Sequence, residues 1–296
     1  TASARTILNE VTGSAASMLA GPLQVLGPAA KVIVANPNGI TCDGCGFINT
    51  PHVQLTTGRP DIGGSALRFD VLDGTVAVGT GGLAALAARI DLIGRRVRVD
   101  GPIAADELNL LAGRAYVDAE TLDRNDPGRR SALRTDLPGD AYLIDISQSL
   151  AAGTIRLLVA PDPYGQQRGI RATASIAATS DLAIVAQGGV QIAAATAGRD
   201  LAVIDLSMAS SSLGNLQAGG TLQVVVDQLT IPDGARWVAR DDIHLGNIGN
   251  NSDRTTQFAN HGTVEAGRDL VLAFGGTGIP RNRGILRAGR DVLGAG

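Results

Sequence analysis

The sequence predicts an all-β protein, a right-handed parallel β-helix with loops or hairpins that leave the helix. Apolar residues make up 44% of the 296 and the mean hydropathy is +0.14, so the chain can bury a large core. Only 3% of the residues are aromatic while 39 are glycine, which favours a thin core of aliphatic side chains between frequent turns. The chain has a single lysine and few glutamates. Because helices use these residues on their solvated faces, their scarcity favours strands and turns.

A repeat of the form A-G-x-D-L is the third observation behind this fold class. Copies begin at Ala197, Ala218, Ala266 and Ala288, a degenerate copy begins at Ala239, and a related segment starts at Thr179. Counted at equivalent positions, the steps are 19, 21, 21, 27 and 22 residues. A period near 20 predicts a solenoid. Each copy then alternates apolar and other residues, which is strand periodicity, and leaves no room for an amphipathic helix.

The repeat also predicts what lies inside and outside the coils. Val, Leu, Ile and Ala are expected to stack in inward columns, with Gly or Asn at corners where φ is positive. Two polar stretches interrupt the pattern. We expect residues 123–140 to leave the helix, for example as a hairpin, with a domain boundary as the alternative. Residues 246–254 are expected to bulge from one coil as a loop.

The segment from Val32 to Thr50 is the most informative part of the chain. Val32–Ala35 predicts a buried strand. Asn36–Gly39 predicts a turn, because Pro37 presets φ and Asn-Gly accepts the left-handed conformation. Cys42 and Cys45 are predicted to lie in a second turn. Strand, turn, strand and turn together make one coil.

Residues 21–51, GPLQVLGPAAKVIVANPNGITCDGCGFINTP, closely resemble the NPNGI block of the secretion domain in two-partner secretion exoproteins. That family includes filamentous haemagglutinin and the effectors of contact-dependent growth inhibition. The flanks Ile7–Thr12 and Val53–Gly58 are similar as well. We therefore expect residues 1–165 to be the C-terminal part of a secretion domain whose N-terminal part is missing. Residues 166–296 are expected to be haemagglutinin-type β-helical repeats.

The resemblance implies export through the periplasm and outer membrane of a Gram-negative bacterium to the cell surface. The implied partner is an outer-membrane β-barrel transporter that recognises the chain through periplasmic domains. The family motif falls on Asn36, Pro37, Asn38, Gly39 and Ile40. The implied role is adhesion or contact-dependent toxin delivery, with a host or neighbouring-cell surface bound by regions outside this sequence. Such domains begin with a signal peptide and an earlier Asn-Pro motif, so this chain is expected to be a fragment.

The pair Cys42 and Cys45 has four interpretations. Structural zinc needs four ligands, and neither a second cysteine pair nor histidines at ligand spacing are present. A thioredoxin-like role needs a βαβ context that the sequence does not predict. In an exported protein a local disulfide is favoured, with free thiols as the remaining alternative.

Enzymes also use parallel β-helices, so a carbohydrate-active enzyme, a polysaccharide lyase or hydrolase, is the alternative function. Two polar groups could serve it: Asp123, Asp126, Arg129 and Arg130, and the trio Asp241, Asp242 and His244. We interpret the first as solvated loop charge and the second as structural. Gly79–Gly82 resembles a phosphate loop only loosely, because no Walker lysine follows it. The sequence therefore predicts no enzyme, no cofactor and no metal, and a net charge of −3 gives no field for nucleic acid.

Overall fold

The computed structural model describes residues 4–85, 88–125, 141–160, 168–207, 209–247, 257–274 and 281–295. In these ranges all regular secondary structure is β-strand. Among the same residues, no helix has the length and apolar character needed to cross a bilayer. The chain divides into two compact units, unit 1 with residues 1–148 and 158–167, and unit 2 with residues 149–157 and 168–296.

The strands of unit 1 are β1 (Thr6–Glu10), β2 (Ser17–Gln24), β3 (Lys31–Ala35), β4 (Ile40–Ile48), β5 (His52–Thr56), β6 (Arg59–Asp61), β7 (Arg68–Val71), β8 (Thr75–Val78), β9 (Leu83–Ala85), β10 (Arg89–Gly94), β11 (Arg96–Val99), β12 (Ile103–Ala112), β13 (Ala115–Asp118), β14 (Arg124–Asn125) and β15 (Tyr142–Ile146). The next strand, β16 (Leu150–Val159), has residues in both units. The strands of unit 2 are β17 (Arg168–Ala178), β18 (Leu182–Ala186), β19 (Val190–Ala197), β20 (Leu201–Asp205), β21 (Ser210–Ala218), β22 (Leu222–Val225), β23 (Gln228–Ile231), β24 (Arg236–Ala239), β25 (Ile243–Gly246), β26 (Gln257–Asn260), β27 (Thr263–Ala266), β28 (Leu270–Ala273), β29 (Arg281–Asn282), β30 (Ile285–Ala288) and β31 (Val292–Ala295).

Unit 2 stacks its repeats in parallel and in register, so equivalent residues of successive coils become neighbours. One inward column is made of alanine alone, Ala178, Ala197, Ala218, Ala239, Ala266 and Ala288. A second is made of Leu182, Leu201, Leu222, Ile243 and Leu270, and Val292, which is exposed, continues its register in the last described coil. In these two columns, neighbours of similar size fill the interior. Aromatic rings are buried elsewhere in unit 2, where Trp237 is 0% and Phe258 3% exposed. The predicted all-β parallel β-helix is confirmed.

The repeat glycines have a different reason from the one that the sequence predicted. Gly198, Gly219, Gly267 and Gly289 are not among the residues with positive φ. A Cβ at Gly219 would instead overlap the backbone carbonyl oxygen of Gly198 in the preceding coil, and Gly198, Gly267 and Gly289 are crowded in the same way. These positions need glycine because backbones approach closely there.

In unit 1 a second layer covers part of the helix. Strands β14, β13, β7 and β6 form a small antiparallel sheet in that order. Its apolar face, with Phe69 and Val117 both 0% exposed, packs on Ile33, Ile93 and Leu111 of the β-helix. Because this sheet covers their outer face, the residues of β3 and nearly all of β5 and β10 are buried on both sides of the strand.

The predicted departures from the helix meet the structure only in part. Strands β13 and β14 pair as an antiparallel hairpin outside the parallel coils, where the sequence predicted an excursion from residue 123. Residues 126–140 of that prediction, and residues 248–254 of the predicted loop, lie outside the described residues. The sequence did not predict that β6 and β7 also leave the helix, although cross-strand pairing joins them to the same small sheet.

Candidate functional site

The turn between β3 and β4 holds the motif residues Asn36–Ile40. The N–H of Gly39 donates to the carbonyl oxygen of Asn36 at 3.0 Å, which closes a four-residue turn with Pro37 at its second position. Gly39 has φ of 115°, and Asn38 is not among the residues with positive φ. Of the Asn-Gly pair, only the glycine therefore takes the left-handed region.

The side chain of Asn36 is fully buried and holds the turn from inside. Its Nδ2 donates to the carbonyl oxygen of Ala15 at 3.0 Å and to Ser17 Oγ at 2.8 Å. Its Oδ1 accepts from the backbone N–H of Asn38 at 2.9 Å and from Asn38 Nδ2 at 3.1 Å. The bonds to Ala15 and Ser17 connect the turn after β3 to the preceding coil, which contains β1 and β2. Asn36 therefore has a structural role.

Gly39 and Ile40 are also buried, whereas Pro37 is half-buried and Asn38 is exposed. Asn38 Nδ2 donates to the carbonyl oxygen of Gly13 at 2.8 Å. Beside this turn lies a groove of about 410 Å³ lined by Glu10, Val11, Thr12, Gly13, Ser14, Pro37, Asn38 and Arg59. The motif therefore divides into a buried part that builds the turn and an exposed part at the groove.

Cys42 and Cys45 form a disulfide, with their Cα atoms 5.3 Å apart. They lie inside β4, not in a second turn between strands as the sequence predicted. The pairing with β2 shifts register here, because Leu19 pairs with Cys42 and Gly21 with Cys45. One residue of β2 thus faces two of β4, which is a β-bulge, so the strand continues through the cysteines.

The glycine segment Gly79–Gly82 lies against this bulge and has a structural explanation. The N–H of Gly81 donates to Asp43 Oδ1 at 2.7 Å, and the N–H of Gly79 donates to the carbonyl oxygen of Cys42 at 2.8 Å. The N–H of Gly44 donates to the carbonyl oxygen of Gly82 at 3.0 Å. The disulfide bulge and the glycine segment of the next coil are therefore one hydrogen-bonded corner.

A buried polar cluster centred on Asp91 is the feature that sequence reasoning missed. The carboxylate of Asp91 is fully buried and contacts four side chains, His52 Nε2 at 2.7 Å, Gln54 Nε2 at 2.9 Å, Arg89 Nε at 2.9 Å and Asn109 Nδ2 at 2.8 Å. Gln54, Asp91 and Asn109 stand in one column of the parallel strands. The signal available in the sequence was an aspartate inside the apolar segment Ile90–Ile93.

The cluster also joins the helix to the hairpin layer. The carbonyl oxygen of Ala119, just after β13, accepts from Gln54 Nε2 at 2.9 Å and from Lys31 Nζ at 3.0 Å. Lys31 Nζ also pairs with Glu120 Oε1 at 2.7 Å. The only lysine of the chain is thus buried under the second layer and fixes it.

The charges of this cluster decide its ionisation. Burial alone raises the pKa of Asp91, but the hydrogen bonds and charges of His52 and Arg89 outweigh it, and the pKa lies below its ordinary value. Burial lowers the pKa of Arg89, and its hydrogen bond to Asp91 together with nearby carboxylates raises it above its ordinary value. The pair therefore stays ionised, as a structural ion pair and not as a proton donor.

The acidic trio considered for an enzyme is built for structure as well. Asp242 pairs with Arg268 through both carboxylate oxygens, at 3.1 and 2.5 Å, and accepts the backbone N–H of Asp269 at 3.1 Å. The hydrogen bond from Arg268 is the main cause that lowers the pKa of Asp242 to about 2. His244 is exposed and Asp241 half-buried. Among the described residues no group of three or more His, Cys, Asp or Glu could hold a metal ion, and of the first polar group only Asp123 is described.

Comparison with known proteins gives three kinds of match. A family model described as "TPS secretion domain" matches residues 1–193. The tRNA nuclease CdiA of Escherichia coli (strain NC101) is 33% identical over 254 residues, 85% of this chain and 7% of that protein. The 16S rRNA endonuclease CdiA of Enterobacter cloacae subsp. cloacae is 33% identical over 276 residues, 91% of this chain and 8% of that protein.

Two further matches involve filamentous hemagglutinin. The protein of that name from Bordetella pertussis is 32% identical over 227 residues, 74% of this chain and 6% of that protein. The crystal structure of the filamentous hemagglutinin secretion domain matches with a TM-score of 0.55 and 25% identity, covering 94% of this chain and 75% of that one. The chain therefore spans less than a tenth of the length of these full-length relatives.

Proposed function

Because the chain belongs to the TPS secretion domain family, we propose that it is the secretion domain and the first β-helical repeats of a large exported surface protein. Members of this family such as CdiA and filamentous hemagglutinin are secreted by Gram-negative bacteria and reach the cell surface. The proposal assigns residues 1–165 to the secretion domain. It assigns residues 166–296 to the haemagglutinin-type repeats.

The partner on this proposal is an outer-membrane β-barrel transporter, whose periplasmic domains bind the chain before it crosses. One observation supports a specific contact. Pro37 and Asn38 present the motif at a groove, while Asn36, Gly39 and Ile40 are buried. A partner that meets the formed turn can contact the first two residues directly. The other three position them by holding the turn.

Downstream of export, the proposed role is adhesion or contact-dependent toxin delivery. Relatives of both kinds support it, since the names of the CdiA proteins describe RNA nucleases and toxins and the Bordetella pertussis protein is a hemagglutinin. The described residues serve export and scaffolding on this proposal and perform no catalysis. The ion pair with Arg268 supports that assignment for Asp242, because a carboxylate with a pKa of about 2 stays ionised at neutral pH and is a weak base.

The test separates recognition from folding. The full-length protein is expressed with its transporter, and its amount in the medium or on the cell surface is measured by immunoblot. Asn38→Ala removes an exposed side chain with hydrogen bonds to Gly13 and Asn36. We expect it to lower export about tenfold, the size of one or two lost hydrogen bonds at an interface. Its thermal unfolding is expected to change little.

Two further variants interpret that result. Asn36→Ala is expected to lower both export and stability, because it removes the four hydrogen bonds of a buried side chain. Asn215→Ala is the matched control, because Asn215 is an exposed unit 2 asparagine that also bonds to backbone, accepting the N–H of Arg236 at 2.9 Å. Wild-type export of a correctly folded Asn38→Ala protein would leave the motif with a turn role alone.

A further inference from the structure

The Cys42–Cys45 disulfide is sealed inside the fold. Cys42 is 0% and Cys45 1% exposed. On one side the bulge of β4 pairs with β2. On the other side the Gly79–Gly82 segment forms hydrogen bonds with it. Thiol–disulfide exchange requires a thiolate to approach one of the two sulfurs. In the folded chain both cysteines expose almost no surface to such an approach, and a groove of about 310 Å³ along β2 reaches no further than the edge of Cys45.

Closing the same disulfide in an unfolded chain involves only a local segment. The two cysteines are three residues apart in sequence, so no long loop has to be ordered to bring the sulfurs together. The ring of four residues contains Gly44, which takes φ of 71° in the structure. Ring closure therefore needs no other part of the fold, whereas access after folding needs the corner to open.

We propose that the Cys42–Cys45 disulfide closes before this part of the chain folds, and that folding then locks it against reduction. The redox state is thus set in the compartment where the chain is still unfolded. A low-molecular-weight or protein disulfide acts as the oxidant. The order of oxidation and folding is a property of the chain separate from its recognition by a transporter.

The chemistry balances with that one oxidant. The thiolate of one cysteine attacks the oxidant disulfide and releases one thiol, leaving a mixed disulfide. The thiolate of the other cysteine then attacks the protein sulfur of that mixed disulfide and expels the second thiol. Two protein thiols lose two protons and two electrons in total, and one oxidant disulfide becomes two thiols.

The Gly79–Gly82 segment of the next coil packs directly on the closed ring. Asp43, held at the tip of the ring, accepts the N–H of Gly81 at 2.7 Å. A Cβ at Gly81 would come within 2.7 Å of Gly44 N and 2.8 Å of Asp43 Oδ1, and one at Gly79 within 2.6 Å of Asp43 Oδ1. The fit leaves no space for a side chain, so a displaced ring displaces this segment as well.

The experiment measures disulfide reduction in the whole purified chain. Oxidised protein is treated with dithiothreitol in native buffer or in guanidinium chloride, and the reaction is quenched with N-ethylmaleimide. The mass of the intact chain is then measured by mass spectrometry. The chain has two cysteines, so an oxidised molecule carries no N-ethylmaleimide group and a reduced molecule carries two. We expect reduction in native buffer to be at least ~100-fold slower than in denaturant, because it must wait for local opening. Equal rates would overturn the proposal.

A variant pair tests the seat itself. Gly81→Ala pushes the glycine segment off the ring and is expected to speed native-state reduction. Gly64→Ala is the control, because its Cβ would meet only Ala66 O at 3.9 Å.

The converse reaction gives a second measurement on the wild-type chain. Reduced chain that has refolded without oxidant is expected to react with oxidised glutathione more slowly than the same chain in denaturant, and equal rates would again contradict the order proposed here.

Discussion

Two aspartates paired with arginine show how differently the two units use the same chemistry. Asp91 of unit 1 is fully buried under the antiparallel sheet and contacts four side chains. Asp242 of unit 2 lies at a more open corner: its side chain is 18% exposed, and that of its partner Arg268 is 55% exposed. The first pair is shielded from water by a second layer, and the second is not. The contribution of such a pair to stability therefore depends on what covers it, and not on the pairing itself.

The largest expected effect is on the buried side of this comparison. Asp91→Ala leaves Arg89, Gln54 and Asn109 without their shared acceptor in a buried site. We expect the free energy of unfolding of unit 1 to fall by about 3–5 kcal/mol, the cost of breaking a buried ion pair. Hydrogen exchange of peptides that cover β10 measures it. Asp106→Ala, at an exposed position, is the control, and an equal loss in both variants would contradict the special role of the cluster.

The pH dependence of the same cluster has a definite sign. The folded pKa of Asp91 lies below its ordinary value of 3.8, so its ionised form stabilises the fold above that value. This stabilisation is lost as the pH falls below about 3.8 and through the lower folded pKa. The protection of β10 against hydrogen exchange should therefore fall more between neutral and acid pH in the wild type than in Asp91→Ala, which lacks the titrating carboxylate.

An intermediate effect is expected in the backbone contacts of unit 2. Gly219→Ala places a Cβ on the carbonyl oxygen of Gly198, and neither backbone can move without disturbing the stacked coils. We expect a loss of about 1–3 kcal/mol, as for overpacked cores. The single tryptophan, Trp237, is 0% exposed and reports unit 2 by fluorescence. Gly294→Ala, with open space around its Cβ, should unfold like the wild type.

The smallest effect is expected at the open corner. Asp242→Asn weakens an ion pair that solvent already screens, so the midpoint of thermal unfolding should move by no more than about 2 °C. Because the pKa of Asp242 is about 2, the pair persists as the pH falls until that value is reached. Asp241→Asn is the neighbouring control. A loss of stability as large as that of Asp91→Ala would contradict the idea that burial under the antiparallel sheet decides the contribution of the ion pair.

The sequence predicted much of unit 2 because its repeats are local. The register inferred from the A-G-x-D-L copies places Gly198, Gly219 and Gly289 at equivalent corners, and the structure stacks them there on the preceding coil. The turn at Asn36–Gly39 was predictable for the same reason, since proline and glycine restrict the backbone within four residues. The reason for the repeat glycines was not, because close approach to another coil cannot be recognised from one coil alone.

What the sequence by itself determined is thus the period, the strand pattern and the family. Only the tertiary structure decided that β6 and β7 join β13 and β14 in a second layer, and that this layer buries Asp91 and Lys31. Alternation along β10 gives Asp91 to the outer face of a coil, where an aspartate ordinarily meets water. Residues near 60, 70 and 115–125, distant in sequence, cover that face instead. Burial of this kind depends on contacts between distant segments, which no local pattern contains.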